Sequence, residues 1–266
     1  MSAPEPLRFD EDASRALEQI YLTPDIVAQR GATLAALDLR PGERVLDLGC
    51  GPGLLAAEMA AQVGASGLVH GADISPAMLA IAARRDLPIG AARLSLSTQD
   101  VGALALPDGA FDVVVCTQVY EYVDDMPAAL AQARRVLAPG GRLVVLDTDW
   151  DSIVWRSSDD ARMARVLAAW DEHLVHRDLP RRLPELLSDA GFAVTGAEVV
   201  PILNIGARGP TYSAGMRELI GAFVVGRAGV DAAEAAAWAQ DLRDMGERYF
   251  FSLNRYLFSA AREREG

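Results

Sequence analysis

From Arg44 onward, short, almost continuously apolar runs alternate with stretches of helical periodicity, and no other feature constrains the fold so tightly. Arg44–Leu48, Gly67–Asp73, Leu94–Asp100, Phe111–Thr117 (FDVVVCT) and Arg142–Asp147 (RLVVLD) read as strands. Gly53–Val63, Pro76–Arg85 and Met126–Leu137 read as the helices between them. A strand that is apolar at every position has both faces covered, which is the signature of a parallel sheet packed between helices. Ahead of this core, Asp10–Leu39 reads as helical, with Thr23-Pro24 as an N-cap followed by proline at the first helical position. Behind it, Asp159–Leu174 and Leu183–Ala190 read as helices and Val194–Ile202 as a strand. Tyr212–Val225 and Asp231–Arg248 follow as Ala-rich helices, and Tyr249–Ala260 as a long final strand. One α/β domain with a helical insertion before the last strand accounts for this order.

Composition narrows the chemistry. Among 266 residues there are 37 acidic and 25 basic side chains, for a net charge of −12, and every basic residue is arginine. Without lysine there is no Schiff-base catalysis, no P-loop lysine and no protein-kinase lysine. The acidic balance argues against broad contact with a phosphate backbone, so no nucleic-acid partner is expected. Cys50 and Cys116 form no CxxC, and His70, His173 and His176 are too scattered for a three-histidine zinc site, so no metal is expected. No apolar run reaches the roughly 20 residues that span a bilayer. No membrane partner is expected, and the expected location is cytoplasmic.

The segment from Val45 reads VLDLGCGPG: a strand, a glycine-rich turn, then a helix. In a parallel sheet, ligands sit outside the carboxyl ends of the strands. Glycines there let a ligand approach the backbone, and the following helix N-terminus offers free N–H groups. The dinucleotide fingerprint asks for a third glycine where this chain has Leu54, and Asp47 just before the turn would repel a pyrophosphate.

This string resembles the first motif of class I S-adenosylmethionine-dependent methyltransferases, and the resemblance continues from about Arg40 to Asp147. It implies a Rossmann-like, doubly wound, mostly parallel seven-stranded sheet whose last strand is antiparallel. It also implies S-adenosylmethionine as cofactor, approached by Asp47, Gly49, Cys50 and Gly51. Asp73, ending the second strand (VHGADIS), would accept from both ribose hydroxyls, as two carboxylate oxygens suit a cis-diol. Ile74 and Met78 would pack beside the adenine, Asp100 would accept from its amino group, and the Val101 N–H would meet the ring. Thr117 and Gln118 would line the methionine side. Leu137-Ala138-Pro139-Gly140-Gly141 matches the family's turn before its fifth strand. From the leading helix, Arg30 would hold the cofactor carboxylate and Tyr21 would cover the sulfonium through a cation–π contact.

Methyl transfer from a sulfonium asks the protein mainly for alignment, and in some cases for a base. Tyr120, Tyr122, Asp149 and Trp150 are the candidate acceptor-binding residues. His173 and His176 are the leading candidate bases, with Glu121 as the other candidate. The expected organisation is a helical lid over 1–40, a cofactor-binding core over 41–204, a helical substrate cap over 205–248, and a final strand and tail over 249–266. The resemblance points to the small-molecule branch of the family, including quinone-biosynthesis-like and natural-product enzymes. A homodimer through the Ala-rich helices is compatible with it. Two rivals stay open on sequence: a protein of this fold with a non-methylating or non-catalytic role, and an NAD-dependent oxidoreductase.

Overall fold

The computed structural model describes residues 11–206 and 209–263. Its centre is a seven-stranded sheet in the order β3-β2-β1-β4-β5-β7-β6. These strands are β1 (Arg44–Leu48), β2 (Leu68–Asp73), β3 (Arg93–Thr98), β4 (Phe111–Thr117), β5 (Leu137–Trp155), β6 (Phe192–Ile205) and β7 (Phe250–Arg262). The first five pair in parallel, and β7 runs antiparallel between β5 and β6. The expected mixed sheet with its reversed last strand is therefore present.

Both faces of the sheet are covered. Along β4, Val113 and Val115 point to one layer with Val45, Met59 and Leu146, beneath α2 (Pro24–Leu37) and α3 (Leu54–Val63). Val114 and Cys116 point to the other layer, with Leu130, Leu143 and Leu187 from α5 (Met126–Val136), β5 and α7 (Leu183–Asp189). Successive strand residues face opposite sides, so this double burial is why the centre of β4, Val113–Cys116, is apolar at every position.

A third apolar cluster lies beyond the carboxyl ends of the strands. It joins α1 (Glu11–Tyr21) to α6 (Asp160–Trp170), α8 (Tyr212–Phe223) and α9 (Ala232–Asp244), around Trp155, Trp170, Trp238 and Phe251. The last two helices are the insertion between β6 and β7. The remaining helix, α4 (Pro76–Ala82), follows β2 and is capped by Ser75, whose Oγ accepts the Met78 N–H at 3.3 Å.

Some boundaries differ from the sequence reading. The leading helical stretch is two helices, because Thr23 is extended, donates its hydroxyl to the Ile20 carbonyl at 2.7 Å and precedes Pro24. Its expected start, Asp10, lies outside the described residues. The β5 strand continues past Asp147 to Trp155, because β7 pairs with it as far as Trp155↔Phe251 across an irregularity between Asp149 and Val154. Among the described residues no helix is long and apolar enough to cross a membrane.

Candidate functional site

The turn after β1 is folded back onto β2. The Gly49 and Cys50 N–H groups both donate to the Ala72 carbonyl, at 2.7 and 3.0 Å. Gly49 has φ +68°, and a Cβ there would stand 2.1 Å from Val119 Cγ2, so only glycine fits. Gly51, with φ +51°, is the opposite case: a Cβ there would meet nothing within 4 Å, because the position opens onto a cavity. Its N–H donates to Asp73 Oδ2 at 2.8 Å, and the Ser75 N–H donates to Oδ1 at 2.8 Å. Burial raises the Asp73 pKa, and these backbone donors offset part of that rise.

The cavity has a volume of about 760 Å³ and crosses the carboxyl edge of the sheet from β2 to β7. At the β2–β3 end it is bounded by Asp73, Ile74, Met78, Asp100 and Val101. Ile74 is 72% exposed there, a large apolar side chain facing open space. Gly49, Cys50 and Gly51 form the middle, with Thr117 and Gln118 from the end of β4. Gln118 has φ +58°, a strained conformation for a residue with a side chain. Its Oε1 accepts the Thr148 hydroxyl at 2.6 Å, which holds the side chain in place.

The helical wall supplies Tyr21 and Arg30. The Arg30 guanidinium donates to the Tyr21 carbonyl at 2.5 Å and to Glu58 at 3.1 Å, so two of its five N–H donors are engaged within the fold. Burial raises the Tyr21 phenol pKa, so it stays protonated. At the β5–β7 end the cavity is aromatic, with Tyr122, Trp150, Trp170 and Tyr212. Glu121 is 1% exposed there and accepts the Trp150 indole N–H at 2.8 Å. Burial raises its pKa, against the Trp150 hydrogen bond and the charge of Arg255.

Five of the residues singled out from sequence do not line this cavity. Asp47 is buried behind the turn, and burial with the neighbouring Asp73 charge pushes its pKa up to about 8. It is therefore largely protonated at neutral pH rather than a carboxylate facing a cation. Tyr120 is fully buried in the apolar layer under α5. Asp149 is held bidentately by Arg181, at 2.9 and 3.0 Å.

The two histidines are the main correction. His173 is 1% exposed, packed against Trp170 at 3.8 Å between ring centroids, with Nδ1 bonded to the Trp170 carbonyl. Burial pushes its pKa down to about 4. His176 places Nε2 on the Val123 carbonyl at 2.9 Å and Nδ1 against Arg182, and burial and that charge lower its pKa. Neither ring lines the cavity: the 3₁₀ turn Asp171–His173 puts His173 against Trp150 and Trp170, and His176 is turned onto Val123 and Arg182.

Sequence reasoning passed over Gln29, Trp170 and Arg255, which line the cavity. Arg255 carried a readable signal. Along β7 the inward row is Phe251, Leu253, Arg255 and Leu257, so one arginine stands on the buried parity of an apolar strand.

Comparisons with known proteins agree with this geometry. Residues 45–141 match the family model described as "Methyltransferase domain". The chain is 40% identical over 190 residues to an uncharacterized 37.1 kDa transposon protein of Streptomyces fradiae, covering 71% of this chain and 54% of that one. It is 43% identical over 110 residues to a 2-phytyl-1,4-naphtoquinone methyltransferase of Synechococcus elongatus, covering 41% of this chain and 47% of that one. The chain thus spans about half the length of these curated relatives. Among solved structures, the Haemonchus contortus phosphoethanolamine N-methyltransferase 2 in complex with S-adenosyl-L-methionine shares the fold. Its TM-score is 0.60 at 18% identity, over 96% of this chain and 58% of that one. Residues 45–141, with this glycine turn and strand order, match the methyltransferase domain family.

Proposed function

We propose that this chain methylates a small, largely apolar acceptor, using S-adenosylmethionine. The observation that carries the reading is one continuous cavity running from Asp73 and the open Gly51 position to an aromatic end at Trp150 and Tyr212. Such a cavity accommodates a polar cofactor and an apolar second molecule side by side. The residues present suit the cofactor. Asp73 offers carboxylate oxygens at the end of β2, Ile74 and Met78 offer an apolar face, and Arg30 offers a cation. When bound, S-adenosylmethionine supplies a methyl group on a sulfonium that is already an activated leaving group.

The protein's own contribution is then alignment and exclusion of water. In this reading Asp73, Asp100 and the Val101 N–H hold the adenosine part, and Arg30 with Tyr21 hold the methionine part. Gln118 and Thr117 line the passage between the two ends. Glu121 is the one sequence-selected base that lines the cavity, and its raised pKa suits it to take a proton from an acceptor O–H at its carboxylate. The leading helices serve as a lid and α8, with α9 behind it, as a substrate cap, supported by the cavity contacts of Tyr21, Arg30, Tyr212 and Met216. A quinol-like acceptor is favoured by the aromatic lining and by the named activity of the Synechococcus relative.

Calorimetry tests the cofactor half: S-adenosylhomocysteine should bind in the micromolar range and NADH should not. Radiolabelled methyl transfer to a naphthoquinol tests the acceptor half. Binding of NADH without S-adenosylhomocysteine would overturn the reading.

A further inference from the structure

We propose that Arg255 makes the β5–β7 end of the cavity a binding site for an anionic oxygen group, so that the acceptor is a flat apolar molecule carrying one carboxylate, phenolate or enolate. This specificity rests on the methyl-transfer reading above.

Arg255 is 3% exposed and lines the cavity. Among the described residues, no carboxylate oxygen lies within 4.0 Å of its guanidinium. Its contacts are all neutral: Nε donates to Thr148 Oγ1 at 3.2 Å, Nη1 donates to Gln29 Oε1, and the guanidinium lies 4.7 Å from the Tyr212 ring centroid. No carboxylate bonds the guanidinium directly, so its donors stay open to an anion that enters the cavity. Two buried carboxyls, Glu121 and Asp147, feel its charge without touching it, and burial raises the pKa of both; Glu121 is bonded to the Trp150 indole.

Position separates this group from the adenosine end of the cavity. Arg255 sits opposite Thr148 on β5, so β1, β4 and β5 all lie between its strand and Asp73 on β2. The other arginine in the cavity wall, Arg30, is paired with Glu58 and stands beside α3. Two arginines at two places fit two anionic groups, one on each bound molecule. In a chain of net charge −12, an anion enters such a cavity only against a local cation, which strengthens the assignment. The planar guanidinium also suits bidentate capture of a carboxylate.

The test uses the full chain saturated with S-adenosylhomocysteine and two isosteric probes, 2-naphthoate and the neutral 2-naphthamide, compared by calorimetry. We expect naphthoate to bind at least tenfold more tightly than naphthamide. In Arg255→Leu the two affinities should fall within twofold of each other, while that for S-adenosylhomocysteine stays within threefold of the parent. Arg255→Lys should keep a preference for naphthoate, and it provides the comparison if the leucine variant does not fold. Equal affinities in the parent, no binding of either probe, or a preference that survives Arg255→Leu would overturn the proposal. A tenfold loss of S-adenosylhomocysteine binding in Arg255→Leu would also overturn it, by giving the guanidinium to the cofactor. Failure of the parent to bind S-adenosylhomocysteine would remove the methyl-transfer reading itself, a separate result.

Discussion

The backbone N–H of Gly51 donates to Asp73 Oδ2 at 2.8 Å, so the turn after β1 and the end of β2 are fastened by one carboxylate. That carboxylate serves the fold and the site together. Asp73→Ala should weaken S-adenosylhomocysteine binding by on the order of tenfold or more, since a hydrogen bond to a charged group contributes about 1.5–3 kcal/mol. Asp73→Asn, which keeps one acceptor oxygen, should fall between. Calorimetry that finds equal affinity in all three proteins would remove Asp73 from the cofactor site.

Gly49→Ala should be among the most damaging small substitutions in the core. It puts a side chain at φ +68° and a methyl 2.1 Å from Val119 Cγ2. Overpacking and backbone strain together should cost about 2–4 kcal/mol in urea denaturation. Adding Val119→Ala should recover the steric part and leave the backbone part. Full recovery would mean that the conformation itself carries no strain.

The Asp47 carboxyl gives a prediction of opposite sign to the usual carboxylate. Its pKa rises from 3.8 to about 8 on folding, through burial and the charge of Asp73, so the folded state binds the proton more tightly. Its contribution is complete below about pH 4 and is lost as pH rises through about 8. Asp47→Asn, neutral throughout, should therefore gain stability relative to the parent as pH goes from 5 to 9. A difference that stays flat across that range would show Asp47 ionised in the fold.

His173 should behave as a buried neutral imidazole. Its pKa falls from 6.5 to about 4, so its contribution to stability is present above pH 6.5 and lost as pH falls through about 4. Proton NMR of the ring should show no titration between pH 5.5 and 7.5. A midpoint near 6.5 would mean that the ring meets solvent and would restore it as a candidate base.

These outcomes also mark where the sequence was legible. The strands β1 and β4 could be bounded to the residue because their burial on both faces writes a mostly apolar run between turn residues. The β1–β2 end of the cavity was legible in part: Gly49, Gly51 and Asp73 line it, while Asp47, singled out with them, is buried behind the turn. The far end was not. Whether LDTDWDSIVW continues a strand depends on β7, about a hundred positions later in the chain, and no local pattern encodes that pairing. The same holds for His173 and His176, whose chemistry attracted notice but whose direction is set by distant partners, Trp150 and Trp170 for the one and Val123 and Arg182 for the other. Arg255 was legible in principle, by its parity among Phe251, Leu253 and Leu257, once the inward row of β7 is known.

The long ladder that joins β5, β7 and β6 also decides how a molecule gets in. Arg255 stands in the middle of that ladder, hydrogen-bonded on both flanks, so its side of the cavity cannot swing aside without breaking the sheet. The opposite side is made of α1, α2 and α8, which meet through side-chain packing and a few side-chain-to-backbone hydrogen bonds rather than a ladder, and can part at far smaller cost. Entry and exit are expected to run through the helices. Amide hydrogen exchange should register this as prompt labelling along Glu11–Tyr21 and the first turn of α8, slowed once S-adenosylhomocysteine is bound, while Leu253–Leu257 stay protected throughout.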